Sequence, residues 1–78
     1  MSIKKHIQIT GSSNISWKDA IVKAISETSK TIRNLETVTV LEQKANIQDD
    51  KIIEYFALLD ISFSIDENIR NEKIEENN

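Results

Sequence analysis

The chain has 78 residues, with ten Lys and Arg, thirteen Asp and Glu, one His, no Cys and a formal net charge of −3. That length allows one domain, and the lack of Cys excludes disulfides and thiolate metal sites, so oligomerisation is the remaining way to stabilise so small a core. The mildly acidic balance argues against sequence-independent nucleic-acid binding, which needs clustered cations, and no apolar run nears the ~20 residues of a membrane span.

The N-terminal MSIKKHIQIT carries charge but no continuous apolar run of the signal-peptide kind, so a cytoplasmic protein is expected. Residues 3 to 9 alternate: Ile3, Ile7 and Ile9 share a face with the stem of Lys5, while Lys4, His6 and Gln8 face away. This predicts a strand with one buried face. It ends at a turn cluster, residues 10 to 14, where the single glycine, Gly11, is expected to hold a conformation other residues resist.

Ser16 then predicts a helix N-cap, with Asp19 as a short capping-box partner and Ile15 placed to staple onto the first turn. Trp17, Ala20, Ile21, Ala24, Ile25, Thr28, Ile32 and Leu35 follow at helical spacings of three and four, and Asn34 suits the left-handed end of such a helix. Trp17, at the first turn, reads as a packing anchor.

A second strand covers about 36 to 47. Strict alternation places Thr37, Thr39, Leu41, Gln43 and Ala45 on one face and Val38, Val40, Glu42 and Lys44 on the other. Residues 48 to 51 read as a turn. The third strand is the clearest element: Ile53, Tyr55, Ala57, Leu59, Ile61, Phe63 and Ile65 alternate without a break. The helix is expected to cover that face together with Val38 and Val40. The opposite face, with Thr37, Leu41, Gln43, Ile52, Phe56 and Leu58, is too apolar for solvent alone, which points to another copy of the chain.

The expected fold is therefore α+β: a βαββ order with a three-stranded antiparallel sheet packed on one helix. It occupies residues 1–65, followed by an acidic tail at 66–78.

Chemistry-bearing residues are sparse. One histidine, no cysteine, no Gly-rich phosphate loop and no carboxylate pair with a matched base leave no catalytic constellation, and a non-enzymatic protein is expected. His6 reads as a surface residue with no orienting carboxylate. Glu42 and Asp60 are the candidate cation ligands, because one carboxylate per chain becomes several around a symmetry axis.

Taken together, several stretches resemble the dodecin family. They are Gly11-Ser12-Ser13, Ser16-Trp17-Lys18-Asp19-Ala20, Ala24-Ile25, Ser29-Lys30-Thr31-Ile32-Arg33-Asn34-Leu35, Val40-Leu41-Glu42-Gln43, Asp49-Asp50-Lys51, Tyr55 and Ile61-Ser62-Phe63-Ser64-Ile65. The resemblance covers roughly residues 3 to 65. It implies a small βαββ subunit of a hollow homododecamer that binds and stores flavin, such as riboflavin or FMN, in stacked pairs at two-fold interfaces. In that family a tryptophan at the start of the second strand stacks on the flavin ring, and a glutamine after the third-strand tyrosine hydrogen-bonds its polar edge. Aligned on Leu35 and Val40, the tryptophan position is Thr37; aligned on Tyr55, the glutamine position is Phe56. Gln43 is the third candidate position. Dodecin-like proteins without the stacking tryptophan are linked to calcium or to no ligand, so a structural or calcium-binding oligomer is the alternative expectation.

Overall fold

A computed structural model describes residues 2–66. Strand β1 (Ser2–Ser13) is followed by helix α1 (Trp17–Thr28), strand β2 (Leu35–Gln48) and strand β3 (Lys51–Asp66). The sheet order is β1-β3-β2, with both outer strands antiparallel to β3. The central place of β3 explains its unbroken apolar alternation, because only that strand has neighbours on both edges. Asp66 closes β3, and the rest of the expected tail, 67–78, lies outside the described residues.

Strand β1 continues through the expected turn. Gly11 pairs with Ala57 inside the ladder, and its φ is not positive. Its lack of a side chain serves packing instead. A Cβ there would lie 2.5 Å from the Ala20 carbonyl oxygen and 2.9 Å from Ala24 Cβ. Gly11, Ala20 and Ala24 thus let helix and sheet approach closely over the core of Ala57, Leu59 and Ile61.

The helix starts where the sequence places it. Ser16 Oγ accepts from the Asp19 backbone N–H at 2.9 Å. The Asp19 carboxylate turns away from the cap, accepting from Ser13 Oγ at 2.6 Å and pairing with Lys23 at 3.1 Å. These partners hold its carboxyl below the ordinary range, the Ser13 hydrogen bond first and Lys23 second. Ile15 is 68% exposed and does not staple.

The helix ends at Thr28, seven residues before the last position of the apolar stripe. A local hydroxyl contributes to this. Ser29 Oγ donates to Ser26 O at 2.8 Å, the carbonyl that Lys30 N–H would take in a further turn, and Lys30 N–H donates to Glu27 O at 3.2 Å instead. Asn34 is left-handed, with φ 63°, at the entry to β2 rather than at a helix end.

Asp49 and Asp50 form a two-residue turn with φ 52° and 65°, the double left-handed geometry that matches strand twist. β2 carries three register shifts: between Leu35 and Thr37, between Val40 and Glu42, and between Asn46 and Ile47. The first two insert a residue in β2, Glu36 and Leu41, and the third inserts Ile53 in β3; each switches which face the following side chains occupy.

The helix lies over β1 and β3, and β2 lies beside it. Val38 and Val40 pair with buried Ile61 and Leu59 yet remain 37% and 42% exposed. One helix about 10 Å wide spans two strands at ~4.8 Å spacing, not three. The expectation that α1 covers Val38 and Val40 is therefore corrected.

Candidate functional site

The sheet face turned away from α1 is open, and the pairing register defines it. Thr37 stands opposite Ser62, Thr39 opposite Asp60, Glu42 opposite Leu58 and Lys44 opposite Phe56. From β1, His6, Gln8, Thr10 and Ser12 face the same way opposite Ser62, Asp60, Leu58 and Phe56. The bulge at Leu41 brings Glu42 and Lys44 to this side. It sends Gln43, opposite Ala57, and Ala45, opposite Tyr55, to the helix side. The expectation that Gln43 shares the face of Thr37 fails for that reason.

Thr37 is anchored. Its backbone N–H donates to Ser62 Oγ at 3.2 Å, and its own Oγ1 lies 2.5 Å from the same oxygen. The two hydroxyls satisfy one another at the bulge where β2 begins. Beside them is an apolar groove of about 160 Å³ lined by Ile25, Leu35, Glu36, Thr37, Val38 and Ile61. Glu36 pairs with Lys4 at 3.0 Å, and that hydrogen bond is the main cause of its lowered pKa.

Phe56 belongs to the other end of the sheet. Its β3 position and that of Ser62, the partner of Thr37, are six residues apart, about 20 Å at ~3.3 Å per residue. Phe56 and Leu58 line a second groove of about 300 Å³ with Thr10, Glu42, Lys44, Ala45 and Asn46. Within one chain, Thr37, Phe56 and Gln43 therefore do not converge. A pocket holding both Thr37 and Phe56 requires two copies.

The two candidate cation ligands share the open face. Asp60 is already engaged, its Oδ2 lying 2.7 Å from His6 Nδ1. Sequence reasoning left His6 without an orienting carboxylate, because the two residues are 54 positions apart and only the β1–β3 pairing joins them. Glu42 Oε1 lies 3.6 Å from Lys44 Nζ. Among the described residues no cluster of three or more His, Asp or Glu side chains is positioned to hold a metal ion.

Trp17 sits far from Thr37 and acts as the expected anchor. Its Nε1 donates to Lys44 O at 2.9 Å, and its ring meets Tyr55 edge-on with centroids 4.9 Å apart. It fastens the start of α1 to the middle of the β2–β3 hairpin. No helix among the described residues is long and apolar enough to cross a membrane.

Comparison with solved structures relates this geometry to known proteins. Variants of the dodecin of Thermus thermophilus superpose with a TM-score of 0.80 at 26% identity, covering 85% of this chain and 98% of theirs. The dodecin of Streptomyces davaonensis gives 0.79 at 25% identity, covering 83% and 96%. A calcium dodecin of Mycobacterium tuberculosis, described as having a novel calcium-binding site, gives 0.72 at 26% identity, covering 82% and 91%. A search of curated proteins returned no match. The dodecin profile itself matches residues 3–66, from the second residue of β1 through the last of β3. With its βαββ order, β1-β3-β2 sheet and single crossing helix, the chain belongs to the dodecin family.

Proposed function

We propose that this chain is the subunit of a homo-oligomeric shell, a homododecamer of cytoplasmic, non-enzymatic character. Its family role is flavin binding and storage, and its flavin site is altered at Thr37 and Phe56. The observation that supports this reading is the Thr37–Ser62 hydroxyl pair, at the position that the family resemblance aligns with the stacking indole. Thr37 offers a methyl and an already satisfied hydroxyl. A lost aromatic stack is worth about 1–3 kcal/mol, and a lost buried hydrogen bond, with Phe56 in the glutamine position, roughly as much again. Each 1.4 kcal/mol is tenfold in affinity, so the two together weaken riboflavin or FMN by about one to four orders of magnitude. Gln43, on the helix face, belongs to the site only through contact with another copy.

The oligomer reading draws on the core. The buried apolar residues are Ala20, Ala24, Ala57, Leu59 and Ile61, while Val22, Val38, Val40, Leu41, Ile47, Ile52 and Ile53 are exposed. Among these, only Leu59 and Ile61 are large, too few for an isolated domain of this length. Native mass spectrometry at micromolar concentration tests it: twelve copies are expected, and a monomer removes the reading. Equilibrium dialysis against riboflavin and FMN tests the site, with binding no tighter than about 100 μM expected.

A second reading, a calcium-binding oligomer, is favoured by Glu42 and Asp60 lying on the same open face and by the calcium dodecin among the similar structures. Calorimetric titration with calcium separates the two. Binding that disappears in Glu42→Gln and Asp60→Asn supports the cation reading; heat unchanged by both substitutions removes these residues as ligands.

A further inference from the structure

His6 is the chain's one histidine, and the β1–β3 pairing brings its Nδ1 within 2.7 Å of Asp60 Oδ2. The imidazole side chain is 59% exposed and the carboxylate side chain 22%, so solvent reaches both. Asp60 stands mid-sheet on the open face, opposite Gln8 on one side and Thr39 on the other. Both neighbours carry neutral oxygens and bring no charge to compete for the carboxylate. Lys4, the preceding residue of β1 on this face, is paired with Glu36 at 3.0 Å. Glu42 stands opposite Leu58, two residues or about 7 Å along the sheet from Asp60, and is paired with Lys44.

We propose that His6 and Asp60 of one chain bind a borderline divalent transition ion of the zinc class, ligated by Nδ1 and Oδ2. This goes beyond the calcium reading: Asp60 is common to both, and His6 takes the place of Glu42. Both protein ligands come from one chain, so the site does not depend on how copies meet. The donor set selects the ion. Imidazole nitrogen suits zinc, nickel and copper, whereas calcium and magnesium take oxygen ligands. The geometry is within reach of such an ion. Two ligands of a tetrahedral zinc, each at ~2.0–2.1 Å, stand about 3.3 Å apart. The hydrogen bond holds the same two atoms at 2.7 Å, and small side-chain rotations that part them by about 0.6 Å admit the ion. The imidazole proton then resides on Nε2. Among the described residues no third His, Asp or Glu joins the pair. Water and the oxygens of Gln8 and Thr39 therefore complete the shell, which makes this an open, exchangeable site and not a closed structural one.

Equilibrium dialysis of the untagged, assembled protein against zinc chloride and, separately, calcium chloride tests the site. Zinc should reach about one ion per chain and bind at least about tenfold more tightly than calcium. His6→Gln and Asp60→Asn should each weaken zinc about tenfold or more, and Glu42→Gln should leave it unchanged. Zinc bound by the parent chain no better than calcium overturns the proposal, whatever the variants do. Zinc binding that survives His6→Gln also overturns it. Weak zinc binding beside calcium binding that needs Glu42 and Asp60 overturns it and leaves the calcium reading standing. Zinc lost with His6, in a chain that takes up no calcium, supports it and removes the calcium reading.

Discussion

Gly11 and Ala20 meet where β1 passes beneath the helix: a Cβ on Gly11 would stand 2.5 Å from the Ala20 carbonyl oxygen. That oxygen is backbone and cannot swing away, so any side chain at position 11 pushes helix and sheet apart. Gly11→Ala should cost about 1–3 kcal/mol, as overpacking of a tight contact does, and lower Tm by roughly 5–20 °C. Ser12→Ala, at the exposed neighbour, should leave Tm within about 2 °C. Thermal unfolding followed by circular dichroism compares the two. An unchanged Tm in Gly11→Ala would mean that the close approach does not hold the helix.

Acid should loosen the structure through two carboxylates. Ser13 and then Lys23 lower the pKa of Asp19, and Lys4 lowers that of Glu36. A carboxyl with a lowered folded-state pKa stabilises above its unfolded value, and that contribution fades as pH falls through the folded value. The protein should therefore keep its Tm from pH 7 to about pH 5 and lose it below the model-peptide values of 3.8 and 4.5. Asp19→Asn should flatten the acid limb of Tm against pH; an unaltered limb would assign it to other groups.

Trp17 fastens the hairpin to the helix start by one directed bond. Trp17→Phe retains an aromatic ring against Tyr55 but removes the donor to Lys44 O at 2.9 Å. The expected loss is about 0.5–1.5 kcal/mol, with hydrogen exchange rising for the hairpin amides around Lys44 and unchanged for the β1–β3 centre. Equal exchange in both regions would show that the indole acts only as bulk.

Flavin affinity should be recoverable. Thr37→Trp with Phe56→Gln restores a ring face and a polar edge at the positions that the family resemblance assigns. Dialysis against FMN should show binding at least about tenfold tighter than in the parent chain, given ~1–3 kcal/mol per stacked ring. No gain with the oligomer intact would remove position 37 as the stacking site.

The elements were legible in the sequence because their signals are local. Seven alternating apolar residues mark β3, Ser16 marks the helix start by its capping hydroxyl, and Asp49-Asp50 marks the hairpin. The helix end was less so, because the Ser29 hydroxyl takes the Ser26 carbonyl while the apolar spacing runs on to Leu35. The family, too, was readable from the order and spacing of short motifs.

Facing and partnership were decided only by tertiary structure. A one-residue bulge at Leu41 leaves no mark in the alternation, yet it moves Gln43 to the helix side and brings Glu42 and Lys44 to the open face. The His6–Asp60 contact joins residues 54 apart and exists because β1 and β3 are neighbours. Gly11 is read as a turn residue by composition and proves to be a packing residue, since the need arises from a helix that crosses it later in the chain. Local propensity fixes which segments become strands and helix. Which side chains share a face depends on register, and register is set by long-range pairing.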